Sequence, residues 1–283
     1  MTGNEQSRRT VLSGMAAGAG LMSMAAAGAT TAQAQTSAKT FVLVHGAWHG
    51  GWCWERVTPH LRAAGVGVST PTLTGLAERA GELNRDTGLA THIADIVSVL
   101  EAHDLRRVIL VGHSYGGMVI SGVAGAVPER LAHLVYLDAF VPAPGESLMD
   151  LLPPDRAVLY AETARTLGDG WRIPPPPVAR FGVVDAADTA WATALLTDQP
   201  LLGYTQPLPQ RAANPRDVSR TYIHCTQGPI APTFAPFAAR ARVNPTWRFR
   251  EMATGHDAMI TEPAALAGML LACQAITARN YTR

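Results

Sequence analysis

The run from Arg107 to Ile120 limits this chain more than any other stretch. Arg107-Val108-Ile109-Leu110-Val111 is a short aliphatic segment that reads as a buried strand. It runs directly into Gly112-His113-Ser114-Tyr115-Gly116, and Gly117-Met118-Val119-Ile120 then opens a helical pattern. A strand that becomes a helix within five residues forces the central residue into a strained backbone conformation. Small flanking residues make this possible by removing side-chain clashes. The Ser114 hydroxyl then projects from the sheet edge. The alternative, a serine in a phosphate-binding loop, lacks the lysine and the spacing such loops need.

From Thr40 onward short apolar runs alternate with longer amphipathic ones, the pattern of an α/β fold with a mainly parallel sheet and helices on both faces. Strands are expected at 41–44, 66–70, 107–111, 134–137, 221–225 and 247–251, about six in all. Helices are expected at 54–64, 91–103, 115–126 and 263–275, the second with Ile93, Ile96, Val97 and Leu100 on one face. The rhythm breaks over residues 142–216, where Pro153-Pro154 and Pro174-Pro175-Pro176-Pro177 interrupt short helical patterns such as 188–196. An insert of this length reads as a lid over a site, with a rigid surface spacer as the alternative for the proline run. With 283 residues, 47% of them hydrophobic, the chain suits one globular domain over 35–283.

A serine hydroxyl is a poor nucleophile until a base takes its proton. Of nine histidines, His256 follows the last strand and precedes the last helix, at the same sheet edge as Ser114; its alternative is an ordinary loop histidine. His113 adjoins Ser114 along the chain and is expected to support the turn. Stabilising an oxyanion takes two backbone N–H groups. Tyr115 N–H, directly after the serine, and Ala47 N–H, in the turn Val44-His45-Gly46-Ala47-Trp48 after the first strand, are the candidates. Trp48, Trp52, Trp54, Phe140, Trp171 and Tyr204 could line an apolar pocket or belong to the core.

Three segments carry a family resemblance: His45-Gly46-Ala47-Trp48-His49-Gly50-Gly51-Trp52-Cys53-Trp54, then Gly112 to Gly117, then Gly255-His256-Asp257-Ala258-Met259. Together the chain resembles the α/β-hydrolases related to plant methylesterases and hydroxynitrile lyases. The resemblance implies the α/β-hydrolase fold, a helical cap, and a cofactor-free enzyme with a Ser-His-acid triad. In those relatives the acid follows the strand corresponding to residues 221–225. Here no carboxylate lies between Asp217 and Glu251, so that position is vacant. Asp138, at the end of the strand ending Leu137, is the expected acid. It sits among apolar residues, where the N–H of a triad histidine would give it the hydrogen bond that burial requires. The alternatives are an aspartate that caps the next segment, and Asp257, which adjoins the base but would point away from it. Hydrolysis of a small or medium hydrophobic carboxylic ester or lactone through an acyl-enzyme is the expected activity. A lyase using the same triad is the alternative, though the plant lyases place a lysine where this chain has Asp257 and a hydroxyl-bearing residue where it has Ala47. A binding protein on the same fold is a third reading.

Twenty-three basic side chains nearly balance twenty-two acidic ones, which leaves no electrostatic footprint for nucleic acid or an anionic membrane. Residues 1–34 read as a twin-arginine signal peptide. Ser7-Arg8-Arg9-Thr10-Val11-Leu12 precedes a Gly/Ala/Met-rich stretch too mildly apolar for a permanent membrane anchor, and Ala32-Gln33-Ala34 offers a cleavage site. A disordered tail is the alternative. The expected location is therefore periplasmic or secreted, without stable membrane insertion after processing. Cys53, Cys225 and Cys273 have no metal-ligand spacing and form no disulfide framework, though two of them could pair. No metal is expected, and nothing in the sequence speaks to the oligomeric state.

Overall fold

The computed structural model describes residues 40–210 and 218–279; the expected signal peptide at 1–34 lies outside them. Among the described residues eight strands occur: β1 Thr40–Val44, β2 Gly67–Ser69, β3 Val108–His113, β4 Leu131–Leu137, β5 Arg172–Ile173, β6 Gln199–Pro200, β7 Ser219–Cys225 and β8 Trp247–Met252. Six of them form one sheet in the order β2-β1-β3-β4-β7-β8, and every pairing in it is parallel. The short pair β5-β6 is antiparallel and separate. Strands β3 and β4 are buried along their whole length, which explains their unbroken apolar sequences. Burying each large aliphatic side chain there contributes about 1.5–3 kcal/mol. Edge strand β8 instead carries the half-buried Arg248 and the exposed Arg250 and Glu251, charges that discourage pairing with another edge.

The helices are α1 Thr58–Ala63, α2 Leu89–Ala102, α3 Gly116–Ala126, α4 Leu148–Leu151, α5 Pro154–Leu167, α6 Ala186–Leu195, α7 Leu202–Thr205, α8 Ala231–Val243, α9 Ala258–Thr261 and α10 Pro263–Arg279. Helix α2 packs on α3, α1 on α10, and α8 on β7 and β8. Leu89, His92, Ile93, Ile96 and Leu100 make the buried face of α2.

Two expectations change. The helix expected over 54–64 is instead a 3-10 turn, Gly51–Trp54, followed by α1. Pro59 has no N–H to donate to the carbonyl of Glu55, so the α-helical ladder starts only at Thr58. Helix α8 was not anticipated, because Pro232 and Pro236 lie within its span. The segment between β4 and β7 carries α4 to α7 and the β5-β6 pair. No described helix is long and apolar enough to cross a membrane. The three cysteines are buried and unpaired.

The chain passes from β1 outward to β2, then returns to β3 on the other side of β1. This reversal opens a crevice at the carboxyl ends of β1 and β3, where sheets of this kind bind ligands. Ala47 follows β1 and Ser114 follows β3 at that crevice. Asp138 follows β4 and His256 follows β8 on the same edge.

Candidate active site

Ser114 has φ 55°, in the left-handed region that costs a residue with a Cβ roughly 1–2 kcal/mol. The surroundings hold it there. Its N–H donates to Leu137 O at 3.2 Å, and its carbonyl accepts from Gly117 N at 3.0 Å and Phe140 N at 3.2 Å. The flanking glycines are required by contact. A Cβ on Gly112 would stand 2.5 Å from Gly116 O, and one on Gly116 would stand 2.9 Å from the carbonyls of Val44 and His45. The turn after β1 presses on the serine, since a Cβ on Gly46 would come within 3.0 Å of Ser114 Cβ.

Asp138 is fully buried and also left-handed, with φ 41°. Its N–H donates to Ile223 O at 2.7 Å. Three donors converge on its side chain. Oδ2 accepts from His256 Nδ1 at 2.7 Å, while Oδ1 accepts from His224 Nδ1 at 3.1 Å and from Cys225 N–H at 3.2 Å. A carboxylate oxygen only accepts, so Nδ1 of His256 carries the proton and Nε2 presents a lone pair. The His256 ring is stacked on Phe234, with centroids 4.6 Å apart and planes 13° apart. Ser114 Oγ makes no hydrogen bond to His256 or to any other described residue.

The N–H groups of Ala47 and Tyr115 have no acceptor among the described residues. The neighbouring Trp48 N–H, by contrast, is taken by Gln199 Oε1 at 3.2 Å, and its indole N–H by Ile173 O at 2.8 Å. The Tyr115 hydroxyl donates to His92 Nδ1 at 2.8 Å, and His92 Nε2 donates to Thr74 O at 3.0 Å. Burial lowers the His92 pKa to about 4 and that of His45 to about 3, so both rings are neutral.

His113 faces away from the serine hydroxyl and donates through Nε2 to the carbonyl of His256 at 3.1 Å. Burial, then the neighbouring His256, pushes its pKa well below the ordinary value. Asp257 is buried, with Oδ2 3.1 Å from His49 Nε2. Burial opposes a charged ring at His49, but the Asp257 carboxylate outweighs it and holds that pKa above the ordinary value. Sequence reasoning missed His49 and His224; both lie inside or beside stretches it had singled out, but their partners are distant in sequence. His113, His256 and Asp257 offer ligand atoms within 4.8 Å of one another. Of these, His113 Nε2 and His256 Nδ1 already serve in hydrogen bonds.

Ser114 opens into a cavity of about 20 Å³, room for roughly one water molecule. Of the six aromatic residues considered, Trp48, Phe140 and Tyr204 line it. Trp54 is core, Trp52 stacks on His49, and Trp171 lies against the guanidiniums of Arg85 and Arg172. Much of the cavity roof comes from the insert, including Leu148, Leu152, Tyr160 and Phe181.

Residues 41–269 match the sequence profile of the alpha/beta hydrolase family. The chain is 41% identical over 242 residues to a carbendazim hydrolyzing esterase of Nocardioides sp. (strain SG-4G), a match spanning 82% of this chain and 98% of the relative. It is 27% identical over 256 residues to salicylic acid-binding protein 2 of Nicotiana tabacum, covering 82% and 96%. Among solved structures, an extracellular alpha/beta-hydrolase from a Paenibacillus species superposes with a TM-score of 0.70 at 26% identity, covering 82% of this chain and 97% of that one.

Proposed function

The chain belongs to the alpha/beta hydrolase family, in its methylesterase-like branch, and on that premise we propose that it hydrolyses carboxylic esters through an acyl-enzyme on Ser114. The observation that carries this reading is the 2.7 Å bond from His256 Nδ1 to Asp138 Oδ2, on the sheet edge that also presents Ser114. The relatives named as esterases support the same class of reaction.

In this mechanism Ser114 Oγ attacks the ester carbonyl as His256 Nε2 takes its proton, and Asp138 stabilises the imidazolium through Nδ1–H. The carbonyl oxygen becomes an oxyanion held by the N–H groups of Ala47 and Tyr115. Collapse of this intermediate breaks the C–O bond, and His256 returns the proton to the departing alcohol. Water then gives a proton to His256 and its hydroxyl to the acyl carbon, and as the bond from that carbon to Ser114 Oγ breaks, His256 returns the proton to Oγ, which frees the acid and restores Ser114. Contact between nucleophile and base commonly tightens only with substrate bound, consistent with the unbonded Ser114 Oγ. Apolar walls around the serine favour a small or medium hydrophobic acyl group, as an ester or lactone.

A lyase reading lacks the lysine beside the base, because Asp257 stands where the plant lyases carry it and its carboxylate is engaged by His49. Substituting Ser114→Ala should abolish turnover of a short-chain p-nitrophenyl ester and labelling by a fluorophosphonate. Retention of both would refute the mechanism. We also propose export through the twin-arginine leader, a reading supported by the extracellular character of the Paenibacillus relative. Replacing Arg8 and Arg9 by lysine should trap the chain in the cytoplasm on fractionation.

A further inference from the structure

The roof of the serine cavity carries two guanidiniums and no carboxylate. Arg156 on α5 and Arg180, in the short 3-10 turn Val178–Phe181, both line it, and no aspartate or glutamate does. Arg180 forms no ion pair among the described residues, its Nε is buried without a hydrogen-bond partner, and its guanidinium lies beside the Tyr160 hydroxyl. Arg156 reaches only the carboxylate of its chain neighbour Asp155, at 3.6 Å. A guanidinium does not give up its proton in proteins, so it cannot escape an apolar setting by neutralising. Arg156 keeps 36% of its side chain exposed, so the buried, unbonded Nε of Arg180 is the group that an anion in the cavity relieves most, with Arg156 lining the same cavity.

Arg180 and Tyr160 also line a second cavity of about 180 Å³ on the outer side of the insert, with Leu159, Thr163 and Pro174–Pro176. The guanidinium therefore stands on the boundary between the serine cavity and an apolar groove.

Building on the serine-esterase reading, we propose that Arg156 and Arg180 bind an ionised carboxylate of the substrate, so that the preferred substrate is a half-ester of a dicarboxylic acid. Its ester faces Ser114, its methylene chain lies among Phe140, Leu152 and Phe234, and its free carboxylate reaches the guanidiniums. A guanidinium presents two parallel N–H donors to such a group, whereas the neutral ester of the same length offers neither arginine an anionic partner in the cavity.

The test compares monoethyl adipate with ethyl hexanoate, which share acyl length, by proton release in a pH-stat. It uses the wild type, Arg180→Gln, Arg156→Gln and the double variant, at about 0.05 and 0.5 M sodium chloride. The expected wild-type kcat/KM favours the half-ester at least about tenfold, mainly through KM. Each single variant and the higher salt lower that ratio severalfold, and the double variant removes it. A wild-type ratio of one or less overturns the proposal without recourse to any variant, as does a preference that survives the double substitution. Fluorophosphonate labelling and ethyl hexanoate turnover separate the two levels. If both are absent the esterase reading has failed; if both are present without the preference, only the carboxylate site has.

Discussion

Asp138→Asn tests the acid directly, and the hydrogen bonds around it fix the expected outcome. The carboxylate meets one donor at Oδ2, His256 Nδ1, and two at Oδ1, His224 Nδ1 and Cys225 N–H. Asparagine keeps one accepting oxygen and replaces the other with an NH2 that only donates. Aimed at Oδ1's partners, the NH2 would face two donors, one of them a backbone N–H that cannot change, each unsatisfied group costing about 1–3 kcal/mol. Aimed at His256 it faces one, and that ring can answer by moving its proton to Nε2. The second arrangement wins, and it leaves His256 with the tautomer that cannot accept a proton from Ser114. The same substitution in a serine-protease triad lowers kcat about 10⁴-fold, which at about 1.4 kcal/mol per tenfold corresponds to about 5.5 kcal/mol of barrier. The expected result here is a similar loss in kcat on p-nitrophenyl butyrate, with KM nearly unchanged and the urea unfolding midpoint close to wild type. A kcat within about tenfold of wild type would refute the assignment.

Three further outcomes follow from the geometry. His224→Phe removes one of the three donors to Asp138 and should lower kcat by roughly tenfold at nearly constant KM, with His224→Gln recovering most of it because its amide can donate; equal effects from the two would argue for packing alone. Gly112→Ala drives a Cβ to 2.5 Å from the Gly116 carbonyl and should destabilise by at least about 1–3 kcal/mol, read as a lowered urea midpoint with loss of activity. His45 and His92 titrate near 3 and 4 in the fold instead of 6.5, so the unfolded chain binds more protons below pH 6.5 and stability falls as pH drops through 6.5 toward 4 and 3, with no contribution above 6.5. At pH 5 each site removes about 2 kcal/mol; denaturant melts at pH 7 and 5 should show a loss, to which the lowered His113 adds and which the raised His49 opposes, and His92→Gln should shrink it by about 2 kcal/mol.

The parts of this protein legible in its sequence are those whose cause is local. The Ser114 turn is written within fourteen consecutive residues from Arg107 to Ile120, and the inner strands β1, β3 and β4 are read from aliphatic runs. Asp138 is legible only through the family resemblance, which implies an acid after β7 where the sequence holds no carboxylate. The donors around it could not be read in the same way, since His224 and Cys225 lie 86 and 87 residues away along the chain and meet it only through β4-β7 pairing. His49 and Asp257 are 208 residues apart and neither carries a periodic signal. The arginines of the insert were equally silent, because α5 has a mostly polar surface and no pattern that points Arg156 inward. Where prolines interrupt, at Pro59 and within α8, sequence patterns misplace helices whose tertiary packing outweighs propensity.

The left-handed backbone at Ser114 has a consequence for how such a chain can be improved. Glycine adopts that conformation without the steric penalty, at the expense of a looser unfolded chain, so Ser114→Gly is expected to fold at least as stably as the wild type. A screen for thermostability alone would therefore tolerate or reward the loss of the hydroxyl. Directed evolution of this protein needs turnover in the selection, because the proposed nucleophile sits where stability exerts no pull toward keeping it.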